Sequence, residues 1–198
     1  MCVILKYGCV TLRAIELSDK DLLRSMINSP ESEIMTVGWN VPISDFAQEE
    51  WIRNFRNTRS IMRWMMDLEN NVTLGTVDVR DLDWKNRVCC IDYKINVEEQ
   101  NRIYGDTKDA VYAVLRYVFD ELGFHRVDGE ILAENLFSQK VSKSMGFVQE
   151  GIRRKAVFKQ GRWHDCILYG LLSEEFIRYK DGEAPWQKRR KRHSTRNK

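Results

Sequence analysis

The chain has 198 residues, 43% hydrophobic and 31% charged, which suits a single globular domain with a real core. No apolar run approaches the roughly 20 residues needed to cross a bilayer. Met1–Lys6 is too short and polar for a signal peptide, so a cytoplasmic address is expected. The net charge of +3 is unevenly placed: residues 180–198 hold eight Lys/Arg against Asp181 and Glu183, a net +6, which leaves −3 for the preceding 179 residues. Such an end cannot bury apolar area. It is expected to be a disordered tail behind a domain at 1–179, with weak attraction for RNA or another polyanion. Cys2, Cys9, Cys89, Cys90 and Cys166 show no C-x-x-C spacing, and His125, His164 and His193 are scattered. Reduced thiols and no metal site are expected.

In chain order, Cys9–Ile15 alternates and predicts a first strand. Ser18-Asp-Lys-Asp21 resembles a capping box ahead of Leu22, Leu23, Met26 and Ile27, a helix ended by Ser29-Pro30. Asp45–Asn57 predicts a second helix, with Ala47, Trp51, Ile52 and Phe55 on one side. Strands are expected at Ile61–Leu68, Val72–Val79 and Val88–Val97. The clearest helix carries Ala110, Val111, Val114, Leu115, Val118, Phe119 and Leu122 as an apolar stripe, with Gly123 as its stop. A strand at Arg126–Leu132, a short helix at Asn135–Met145 stopped by Gly146, and a hairpin of Val148–Lys159 and Arg162–Leu172 through Gln160-Gly161 complete the chain. This order predicts an α/β sheet with helices on its faces.

The segment Val97–Lys108 leads from a strand through Gln100–Thr107 into the periodic helix. Unpaired N–H groups and the helix dipole at such a junction suit a phosphate. Gly105 would let the backbone approach it, and Arg102 or Lys108 would add charge. The loop reads R-x-x-G-x-T through Arg102, Gly105 and Thr107, and resembles the pyrophosphate loop of the GNAT superfamily of acetyltransferases. Also similar to that family are Ala110, Glu121–Val127, the segment Asn135-Leu-Phe-Ser138 through Val141 to Gly146-Phe147, and Leu74-Gly75-Thr76 with Asn86-Arg87. Leu12-Arg13 and the ending Glu150-Gly151-x-Arg153, Gly161, His164-Asp165 and Tyr169–Leu172 resemble the RimJ/RimL-like branch.

The resemblance implies a single GNAT-like α/β domain. Its mixed, mostly antiparallel sheet would splay between two parallel strands, near 88–97 and 126–132, with helices on both faces. It implies acetyl-CoA as co-substrate. The pantetheine arm would lie in the splay, and the pyrophosphate on Arg102, Ile103, Tyr104, Gly105, Asp106 and Thr107. Asn135 and Ser138 would meet the arm, and the backbone near Asn96 and Val97 would hold the acetyl carbonyl. Thr107 replaces the family's second small loop residue. The family's proton-donating Tyr position is Ser142 here, and Ser138, nearer the helix start, is the favoured alternative.

The expected activity is transfer of acetyl to a primary amine: a protein N-terminus, a polyamine, an aminoglycoside or another small amine. The other class is a degenerate acyl-CoA-binding or RNA/ribosome-docking module. Monomer and homodimer both stay open. An amine must lose a proton before attack, and Asp78 and Asp92 on the central strands are candidate bases or substrate anchors. Glu31, Glu33, Trp39, Asp45, Glu49, Glu50 and Trp51 would give the acceptor cleft an acidic, aromatic wall suited to a cation. His164 and Asp165 are adjacent on a strand, so their side chains point to opposite faces and form no dyad.

Overall fold

The computed structural model describes residues 5–38, 41–69, 72–96 and 104–188, with the backbone alone at Tyr104 and Gly105. Cys2, Trp39, Val97, Arg102, Ile103, His193 and the tail beyond Lys188 lie outside the described residues. Eight strands form one sheet: β1 Leu5–Tyr7, β2 Val10–Arg13, β3 Ile61–Leu68, β4 Thr73–Asp83, β5 Val88–Ile95, β6 Arg126–Leu132, β7 Val148–Lys159 and β8 Arg162–Leu172. Their order is β1-β2-β3-β4-β5-β6-β8-β7. Every pairing among them is antiparallel except β5 with β6. The helices are α1 Lys20–Asn28, α2 Pro30–Met35, α3 Asp45–Asn54, α4 Tyr104–Arg116 and α5 Leu136–Met145. None of the described helices is long and apolar enough to cross a membrane.

The two sheet faces are covered differently. The main core joins Val77, Val79, Ile91 and Ile95 of β4 and β5 to Ala110, Val111, Val114 and Leu115 of α4, and to Val141 and Met145 of α5. The apolar stripe of α4 is thus its sheet-facing side, and it continues as a π-helical turn over Tyr117–Glu121 that buries Val118 and Phe119. The opposite face holds a smaller core of Leu23, Ile52 and Met65, which seats α1 and α3. Gly123 (φ +65) and Gly146 (φ +97) stop their helices in the left-handed region as expected.

Several expected boundaries move. Ser29-Pro30 ends α1 but also starts α2: the Ser29 hydroxyl accepts the Ser32 N–H at 3.2 Å, and Pro30 takes the first turn, where its missing N–H costs nothing. Strand β1 is three residues long, too short for alternation to show. Helix α3 stops at Asn54, and β4 runs on to Asp83. Helix α4 begins at Tyr104, so the end of the supposed phosphate loop is the first helical turn.

The largest correction concerns the end of the fold. The expected boundary at residue 179 falls inside the packed region, because Ala184, Trp186 and Gln187 are buried. The Trp186 indole N–H donates to the fully buried Asp109 carboxylate at 2.8 Å, and the Lys108 ammonium stands 5.8 Å from the Trp186 ring centroid. Tyr179 meets the same ring edge-on at 5.7 Å. Charge counting hid this, since one aromatic anchor outweighs the surrounding cations. Trp186→Ala removes a buried ring and the indole N–H that meets Asp109, and should cost about 3–5 kcal/mol of stability. Urea unfolding measures it, and a loss below about 1 kcal/mol would place Trp186 outside the fold.

Candidate active site

Parallel pairing between β5 and β6 covers only Val88–Arg126, Cys89–Val127 and Cys90–Asp128. Beyond it β6 stays zipped to β8 through Leu132, while β5 stays with β4 through Ile95. The strands therefore part, and a cavity of about 320 Å³ opens between Ile91–Lys94 on one side and Gly129–Ile131 on the other. The Asn96 N–H donates to the Leu74 carbonyl at 2.7 Å. That bond fixes the parity of the ladder: Asp92 and Lys94 turn their backbone groups to β4, and Ile91, Tyr93 and Ile95 turn theirs to the gap. Gly75 makes room here, because a Cβ on it would overlap the Lys94 carbonyl oxygen.

The cavity passes through the sheet. Val111 of α4, Ser138 and Ser142 of α5 and Phe147 line it on one face; Arg63, Asp78, Arg80 and Asp92 line it on the other, with Thr36–Gly38 after α2. Helix α5 is set by Asn135, whose side-chain oxygen accepts the Ser138 N–H at 3.0 Å. The Asn135 amide nitrogen donates to the Met35 carbonyl at 2.9 Å, which ties α5 to α2. Lys159, from the tip of β7, donates to the Glu33 carbonyl and carboxylate, each at 2.6 Å. Ser138 and Ser142 stand one turn apart with hydroxyls that bond no described residue, whereas Ser144 donates back to the Val141 carbonyl at 2.7 Å.

Arg63, Asp78 and Asp92 lie side by side across β3, β4 and β5. Arg63 grips Asp78 with two N–H groups, one at 2.6 Å. Arg80 grips Asp92 across the diagonal. Burial pushes the Asp78 carboxyl above its ordinary pKa, while the Arg63 guanidinium draws it back down. Burial lowers the Lys94 ammonium, with Arg63 acting in the same direction. Glu130 on β6 is held by Arg153 at 2.6 Å. Every carboxylate lining the cavity thus has its own arginine. Burial also drives the Cys90 and Cys166 thiols up to about 11 and Cys89 to about 12, so these three hold little thiolate at neutral pH. None of them suits a covalent acetyl carrier.

Several expected site residues are placed otherwise. Asp106 and Thr107 do not line the cavity. The Asp106 carboxylate accepts the Cys9 thiol at 3.2 Å, and Lys108 is buried against Trp186. Thr107 is fully buried, and its hydroxyl has no partner among the described residues. A buried orphan hydroxyl beside the first-turn amides of α4 fits an oxygen-rich ligand at that helix end. The Asn96 N–H is committed to Leu74, so it cannot also hold an acetyl carbonyl. The acidic wall is largely self-neutralised: Glu33 pairs with Lys159, Asp45 with Lys20, and Glu49 with Arg53. Trp51 lies 5.4 Å from the Arg63 guanidinium and so already holds a cation of the protein itself. His164 and Asp165 stay apart as expected: His164 meets Glu134 at 2.8 Å, and Asp165 accepts the Lys155 N–H.

Residues 10–148 match the acetyltransferase (GNAT) domain family. The chain belongs to that family. It is an acetyl-CoA-dependent N-acetyltransferase on a GNAT fold. The SPbeta prophage-derived N-acetyltransferase YokL of Bacillus subtilis is 29% identical over 169 residues, 84% of this chain and 92% of that protein. The spermidine N(1)-acetyltransferase of Vibrio cholerae is 21% identical over 85% of this chain and 95% of its own. The structure of spermidine N-acetyltransferase from Vibrio cholerae in complex with CoA and spermine superposes with a TM-score of 0.77 at 20% identity, covering 86% of this chain and 99% of that one.

The Arg63–Asp78 pair yields a stability test. Arg63→Ala leaves a buried carboxylate without its cation and should cost about 3 kcal/mol, whereas Arg63→Met with Asp78→Leu removes both charges and should restore most of it. Equal losses in the single and double variants, measured by urea unfolding, would show the pair to be incidental to the fold.

Proposed function

We propose that this acetyltransferase acts on the α-amine of a peptide or protein N-terminus. The carrying observation is that Asp78, Asp92 and Glu130, the carboxylates of the cavity, are each held by an arginine. A carboxylate whose oxygens already receive an arginine's N–H groups is a weak anchor for a second cation. An α-amine of pKa about 7.7–8.0 is neutral in roughly a tenth of molecules at pH 7, whereas an alkylamine of pKa about 10 is neutral in fewer than one in a thousand. A cavity whose carboxylates are already engaged therefore favours the amine that is more often neutral, the α-amine. The motifs similar to the RimJ/RimL-like branch agree with this reading.

The thioester carbon would be attacked directly by the neutral amine, with the C–N bond forming as the C–S bond breaks and the amine proton leaving through water. Acetyl-CoA, when bound, supplies the activated acyl group and an extended arm that the open edge of β5 is shaped to pair. Its pyrophosphate would sit at the N-terminus of α4, near the Thr107 hydroxyl. Ser138 and Ser142 would return a proton to the thiolate. Asn135 would set α5 and the acceptor wall rather than bind the arm with its amide. A second reading, a polyamine acceptor, draws on the Vibrio cholerae structure with CoA and spermine.

Thiol release from acetyl-CoA across N-terminal peptides, spermidine and small amines tests the acceptor. Peptides should give the higher kcat/KM, and their rate should level off above pH about 8, where the α-amine is already neutral. Preference for spermidine by tenfold or more, with a rate still rising towards pH about 10, would replace this reading by the second.

The serines are separable by substitution. A proton donor to a thiolate contributes about 10- to 10⁴-fold at most, and the thiol's own pKa near 8.5 puts the effect at the low end. Ser138→Ala should lower kcat about tenfold with CoA affinity unchanged, and Ser142→Ala should lower it less. Full kcat in the double variant would assign the proton to water.

A further inference from the structure

We infer that the tip of the β7–β8 hairpin is a docking surface for single-stranded RNA. Phe158 and Trp163 face each other across the hairpin and meet at 5.1 Å in a T-shaped pair. They are 59% and 60% exposed, although each ring carries enough apolar area to be worth burying. Both rings stand near the turn, beyond the last β6–β8 pair at Leu132 and Cys166. Neither ring lines the acceptor cavity.

Along the hairpin itself the charge has one sign. From Ile152 to His164 the chain carries Arg153, Arg154, Lys155, Lys159 and Arg162, with no Asp or Glu. Arg153 and Lys159 are engaged by Glu130 and Glu33. Arg154, Lys155 and Arg162 are exposed. The nearest acids are committed, Asp165 to the Lys155 N–H and Glu134 to His164. The ladder breaks between Arg153 and Val157, and Lys155 adopts φ +51, so the edge bends there and turns its basic side chains outward.

Exposed rings with cations around them match the two surfaces of a single strand: bases stack on aromatic faces, and phosphates meet Lys and Arg. A second copy of this chain is a poorer occupant. Edge-to-edge pairing needs a flat unbroken strand, whereas this one is bulged and cationic, and its one acid, Glu150, is held by Arg126. An acidic peptide would satisfy the charge and leave the rings without stacking partners.

The test uses the full chain and a fluorescein-labelled 12-nucleotide oligouridylate, read by anisotropy over a salt series. The wild type should bind, with affinity falling steeply as salt rises. Phe158→Ala with Trp163→Ala should weaken binding about tenfold or more, and Arg154→Glu with Arg162→Glu should weaken it and flatten the salt dependence. Acetylation of a small amine should be unchanged in both variants. Three results would overturn the proposal: binding that both variants keep, hexaglutamate competing as well as unlabelled RNA, and a dimer in light scattering that the ring variant abolishes.

Discussion

The site exists because two antiparallel sheets share a parallel seam of only three residue pairs. Strand β6 is bound along its whole length to β8, and β5 to β4, so each follows its own partner's twist. Past Cys90 and Asp128 they cannot stay within hydrogen-bonding distance of each other. Backbone N–H and C=O groups are thereby left open in the middle of a sheet, where they are costly unless something pairs with them. On the proposed reading an extended, amide-bearing arm would meet that demand, and Gly75 keeps β4 close enough to hold β5 while β5 turns its other edge to the gap.

The same geometry fixes the electrostatics of the cavity on the sheet face away from α4. Residues directly opposite on neighbouring strands share a face, so placing Arg63, Asp78 and Asp92 in one row forces like carboxylates against each other. Arg63 and Arg80 resolve the conflict by engaging one carboxylate each. Burial of Asp78, the larger influence, favours its neutral form, and the Arg63 guanidinium favours its charged form. On the proposed reading, the chemistry would rest on approach and on the intrinsic acidity of the amine.

Much of this was legible in the sequence. The stripe from Ala110 to Phe119, the stops at Gly123 and Gly146 and the hairpin through Gln160-Gly161 are local signals, and the structure keeps them. The order of motifs located the splay and brought Asn135, Ser138, Ser142, Asp78 and Asp92 to one cavity. What failed was partnership at a distance. Asp78 and Asp92 read as available acids because Arg63 and Arg80 lie 15 and 12 residues away on other strands. Trp51 read as a receptor for a foreign cation because its stacking with Arg63 is a tertiary contact. Trp186 was lost among cations because its binding partner, Asp109, is 77 residues earlier.

Asn135 shows how closely the two halves of the site are joined. Its oxygen caps α5 at the Ser138 N–H, and its nitrogen holds the Met35 carbonyl at the end of α2. Both bonds use one rigid planar amide, so the start of the serine-bearing helix and the wall formed by Thr36–Gly38 cannot shift independently. Lys159 fixes α2 from the other side, with its ammonium on the Glu33 carbonyl near the helix C-terminus, where a cation is favoured. An acceptor that displaced the wall would therefore disturb the α5 cap. A single side chain thus ties the helix that carries Ser138 and Ser142 to the wall at Thr36–Gly38.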